Sequence, residues 1–98
     1  MNVLANENPE AAEFQNWFWG KLHPQEFALL HAPVNYRAIG LFAGVSASTV
    51  KHYLQSTGAT SYREPGDRVQ RLLSLDHWWL DTFEASPDWV LVQFEQRR

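Results

Sequence analysis

Apolar residues recur along this chain at spacings of three and four, in short runs broken by proline, glycine or clusters of small polar residues. Phe14, Trp17 and Phe18 make such a stripe, widened by Trp19. Phe27, Leu30 and His31 make another, with Ala28 and Leu29 beside it, and Ile39 and Ala43 share one face of a third. Val50, Tyr53 and Leu54 come next, then a long stripe of Val69, Leu72, Leu73, Asp76, Trp79, Leu80 and Phe83, on which Asp76 is the misfit. This period belongs to amphipathic helices. It predicts an all-α fold, a small bundle of about five to six helices in one domain over residues 1–98.

The breaks between runs predict where the helices start and stop. After a frayed 1–7, Asn8, Pro9 and Glu10 form a helix start, and that helix should run to about Leu22. Pro24 opens a second helix and Pro33 closes it; Asn35 is placed to cap the third. Gly44, after the last periodic residue, suits a left-handed helix end, and Gly40 suits a close approach by the next helix. Ser46 can cap that helix by accepting from the amide of Ser48 or Thr49, with Val45 and Val50 as a hydrophobic staple. The run 55–66 reads as a loop, its middle from Thr60 to Arg63 briefly extended. A long helix is expected from about Asp67 to Phe83, with Asp67 pairing to Arg71 one turn on. Ser86, Pro87 and Asp88 cap a last element, Trp89 to Phe94, which is short enough for a strand but reads better as a helix.

The segment from Tyr36 to Leu54, YRAIGLFAGVSASTVKHYL, resembles the helix-turn-helix of bacterial and phage repressors, including those of the lactose repressor and Cro classes. The matching features are the small residue at Gly40, the turn residues Gly44, Val45 and Ser46, and Ser48, Thr49 and Val50 with Leu54 beyond them. Gly40 stands where alanine is more usual. The resemblance covers only about twenty residues. It implies double-stranded DNA as partner, with the second helix, about Ala47 to Gln55, in the major groove. Ala47, Ser48, Thr49, Lys51 and His52 would then meet bases and phosphates, and Ser46 would cap near a phosphate. Tyr36 and Arg37 would hold the backbone at the start of the preceding helix.

Charge qualifies this picture. The formal net charge is -3, whereas DNA affinity comes largely from lysine and arginine. The distribution matters more than the sum, because from Lys21 to Arg71 basic residues outnumber acidic ones, while Asp76, Asp81, Glu84 and Asp88 leave the stretch from Leu72 to Phe94 wholly acidic. Arg63, Arg68 and Arg71 admit two readings: phosphate contacts flanking the site, or the more ordinary solvated face paired with Glu64 and Asp67.

The chain has five tryptophans. Trp78 and Trp79 are adjacent and cannot both face inward from one helix, so Trp78, Trp79, Trp89 and Phe94 mark residues 67–98 as a candidate dimerisation region. A homodimer would present two reading helices to a palindromic site. With no cysteine, no signal-like start and no long apolar run, a soluble cytoplasmic protein is expected. The four histidines show no paired metal-ligand spacing, and no nucleophile motif or phosphate loop appears. The expectation is therefore a non-enzyme without metal or cofactor, with Asp76 satisfying a buried hydroxyl or amide. The favoured reading is a transcription regulator, set against a mobile-element accessory protein of excisionase type and a protein-interaction adaptor or antirepressor.

Overall fold

The computed structural model describes residues 20–97, and five helices lie within them: α1 (Pro24–Leu30), α2 (Tyr36–Ala43), α3 (Ala47–Tyr53), α4 (Asp67–Thr82) and α5 (Pro87–Gln96). The expected helix start at Asn8 and the aromatic stripe of Phe14, Trp17, Phe18 and Trp19 lie outside the described residues. From Gly20 to His23 the chain is already non-helical, short of the expected end near Leu22. Leu22 is instead buried, its amide donating to the Gln70 carbonyl of α4 at 2.9 Å.

α2 is the central helix of this all-helical bundle, packed against all four others. Its buried residues are Ala38, Ile39, Gly40 and Ala43. Three of the four are small, and this lets neighbouring backbones come close on several sides. A core of Leu22, Phe27, Ile39, Ala43, Val50, Leu73 and Leu80 forms around it. Burial of each large member contributes about 1.5–3 kcal/mol.

The turn from α2 to α3 is fixed at both ends. Gly44 is left-handed at φ 73°, and the Gly40 carbonyl takes both the Gly44 amide at 2.8 Å and the Val45 amide at 3.0 Å. A Cβ on Gly40 would lie 2.6 Å from the Val45 carbonyl oxygen. Close approach is thus the reason for that glycine. The Ser46 hydroxyl accepts from the Thr49 amide at 3.1 Å and starts α3. Val45 packs against the core cluster that contains Val50.

Several expectations are corrected. Leu30 is exposed rather than inward, because α1 is short and its buried residues are Pro24 and Phe27. The α4 stripe holds at Leu73 and Leu80, but its carboxyl end does not: Phe83 is 63 % exposed, and Trp79, also exposed, meets it as a tilted ring pair with centroids 5.3 Å apart. Ser74, unmarked by the pattern, is fully buried. Asp67 pairs with Lys21 at 3.0 Å and not with Arg71. Thr60 and Ser61 lie in a turn, and no strand occurs among the described residues. Trp89 to Phe94 is helical. The Asp76 carboxyl makes no hydrogen bond with a described residue. Burial pushes its carboxyl up to about 7.

Candidate nucleic-acid interface

The outward edge of α3 is built from short residues first and long ones after. Ser48 and Lys51 are exposed, while Ala47, Thr49 and His52 are half-buried. Thr49 and Ser46 engage one another, their hydroxyls 3.0 Å apart, whereas the Ser48 hydroxyl bonds to no described residue. α3 contains no acidic residue. Lys51 lies over the ring of Tyr36, its Nζ 5.8 Å from the centroid. This cation–π contact joins the start of α2 to the outer face of α3, and at an exposed position it contributes about 0.5–1 kcal/mol.

His52 points back to its own loop. Its Nδ1 donates to the Ser61 carbonyl at 2.8 Å. A carbonyl only accepts, so the proton is on Nδ1, and in the neutral ring Nε2 is an acceptor. The Arg63 amide donates to the His52 carbonyl at 3.2 Å, which brings Arg63 to the carboxyl end of α3. The expected partners of the arginines are taken elsewhere. Glu64 accepts from the Tyr62 hydroxyl at 2.8 Å and Asp67 is held by Lys21, so Arg63, Arg68 and Arg71 are exposed and form no ion pair with a described residue.

The loop itself is stitched to α1. The Gln25 side chain donates to the carbonyls of Tyr53 at 3.1 Å and Gln55 at 2.8 Å, satisfying the end of α3. The Gln25 amide donates to His23 Nδ1 at 3.0 Å, so His23 carries its proton on Nε2 and donates it to the Tyr62 oxygen at 2.9 Å. Tyr62 in turn donates to Glu64. Burial, then the Glu64 carboxylate, raises the Tyr62 hydroxyl above its ordinary value.

The start of α2 is capped by Asn35, as expected, and has acidic neighbours from α5. Asn35 Oδ1 accepts from the Arg37 amide at 2.8 Å, and the Asn35 amide donates to Asp88 at 2.8 Å. Arg37 pairs with Glu95 of α5 at 3.1 Å, both side chains well exposed. Two carboxylates of α5 thus flank this end.

A second polar cluster joins α1 to α4, and sequence spacing does not reveal it. His31 Nε2 and His77 Nδ1 are 2.9 Å apart in a hydrogen bond. Burial, then His77, lowers the His31 pKa, partly opposed by Asp81. No group of three metal-ligating side chains occurs among the described residues.

The four aromatics expected at an interface are spread over two helices. Trp78 is half-buried, whereas Trp79, Trp89 and Phe94 are exposed. No helix among the described residues is long and apolar enough to cross a membrane. In comparison with known proteins, no family model, curated protein or solved structure matches this chain.

Proposed function

We propose that this chain is a sequence-specific DNA-binding regulator that lays α3 in the major groove, with α2 and the tight turn acting as a helix-turn-helix. The observation that carries the reading is the outer edge of α3. Ser48, Lys51 and the half-buried His52 stand on a helix without acids, and Arg63, which forms no ion pair with a described residue, is at its carboxyl end. Short residues near the amino end admit the helix to the groove, and the longer ones reach base edges and phosphates. His52, protonated on Nδ1, would accept through Nε2 from cytosine N4 or adenine N6. Arg37 would exchange Glu95 for a phosphate. An exposed pair of this kind is worth about 0–1 kcal/mol, so the exchange is cheap.

The test is DNA-site selection from a random duplex pool at moderate salt, with the wild type and with Lys51→Glu. An enriched motif that disappears in the variant is the expected result. No enrichment by either protein, at low salt as well, would overturn the reading and favour a protein-binding adaptor.

A further inference from the structure

An apolar strip runs from the end of α4 along one flank of α5. Phe83, Glu84, Ala85, Ser86 and Trp89 line an open cavity of about 420 Å³. Trp89 also borders a second, of about 310 Å³, with Val90, Gln93, Phe94 and Arg97. Phe83 is 63 % and Trp89 59 % exposed, which is unusual for residues that bury so much apolar surface when they find a partner.

The charges on this strip are arranged by end. Glu84 stands beside the first cavity and Arg97 beside the second, separated by a helix about 15 Å long. Neither forms an ion pair with a described residue, whereas the carboxylates on the opposite flank of α5 are engaged within the chain, Asp88 by Asn35 and Glu95 by Arg37. A strip acidic at one end, basic at the other and apolar between is complementary to itself when turned end for end. The backbone adds a second sign. Glu84 is left-handed at φ 53°, a conformation that glycine adopts at no steric cost and that costs another residue about a tenfold factor in local equilibrium. The turn itself gives no reason for a charged side chain at this position.

We propose that this strip is a two-fold interface with a second copy of the chain, in which the two α5 helices run antiparallel and Glu84 of each copy meets Arg97 of the other. The interface is isologous, so each contact occurs twice. It does not depend on the DNA reading, and its test contains no DNA.

Sedimentation equilibrium at high micromolar concentration is the measurement, with folding of each variant checked by circular dichroism. All three substituted side chains are exposed, so the fold should survive. The wild type is expected to dimerise. Trp89→Ala should weaken the dimer about 100-fold, because a central aromatic anchor is removed twice. Glu84→Arg and Arg97→Glu should each weaken it about tenfold, and the two together should restore it. A wild type that stays monomeric, a dimer indifferent to Trp89→Ala, or a double variant no stronger than the single ones would overturn the proposal.

Discussion

Helices α2 and α4 close with the same backbone geometry and different residues. Each ends on a left-handed position, Gly44 at φ 73° after α2 and Glu84 at φ 53° after α4. After α4 the Ala85 amide reaches the Leu80 carbonyl at 2.9 Å and the Glu84 amide reaches Asp81 at 3.2 Å, which satisfies carbonyls that a bare helix end would leave open. After α2 the Gly40 carbonyl takes two amides instead. The difference comes from the chain beyond each turn. The α2 turn must bring α3 back against α2 at once, so it admits no Cβ at Gly40, one turn before the left-handed Gly44, which itself has open space around it; the α4 turn opens onto the surface. One end is specified by packing and the other tolerates a residue that is locally unfavourable.

The largest test of this contrast is Gly40→Ala. The new Cβ would sit 2.6 Å from a backbone oxygen that has no flexible side chain to yield. Destabilisation by about 2–3 kcal/mol is expected in urea unfolding, with loss of the α2–α3 geometry and of any site selection that depends on it. An unchanged midpoint would show that the turn is looser than its hydrogen bonds imply.

Asp76 sharpens the contrast on the α4 side. Its carboxyl has an ordinary value near 3.8 and is raised to about 7 in the fold by burial. The folded state therefore holds the proton more tightly than the unfolded chain does. The Asp76 contribution to stability should be greatest below pH 4 and should be lost as the pH rises through 7. The span corresponds to about 4 kcal/mol if fully expressed, and to about 1–2 kcal/mol for a half-buried side chain open to solvent screening. Asp76→Asn should remove the slope and exceed the wild type in stability at pH 8, read from thermal unfolding across pH.

The smallest effects are of opposite sign at the two helix ends. Gly44→Ala should cost about 1 kcal/mol, and Glu84→Gly should gain up to about as much, measured on dilute monomer so that self-association does not contribute. Equal and same-signed changes would mean that the two ends are not the equivalent closures their backbone angles suggest.

The helix pair is legible in the sequence almost to the residue, because its determinants are local: Asn35, Gly40, Gly44 and Ser46 each act on residues within a turn or two. The same holds for the helix over Trp89, signalled by Ser86 and Pro87. Periodicity tells which residues share a face and cannot tell whether anything covers that face, which is why it puts Leu30, Trp79 and Phe83 inside. The contacts of the candidate interface are illegible for another reason. Arg37 with Glu95, His23 with Tyr62, and the Gln25 side chain with the carbonyls of Tyr53 and Gln55 join residues distant in sequence through side-chain contacts. No spacing rule links such partners. The pairing of His31 with His77 belongs to the same class.

The stitching of the 55–66 loop has a consequence for binding thermodynamics. Gln25, His23 and Tyr62 hold the carboxyl end of α3 and the backbone of Arg63 before any ligand arrives. A segment that orders only on binding gives up part of its interaction energy to lost chain entropy, and its complexes form with a large unfavourable entropy and a large negative heat-capacity change. Here that ordering belongs to folding. A ligand on this surface meets a preformed shape, and its binding signature should be that of docking rather than of coupled folding.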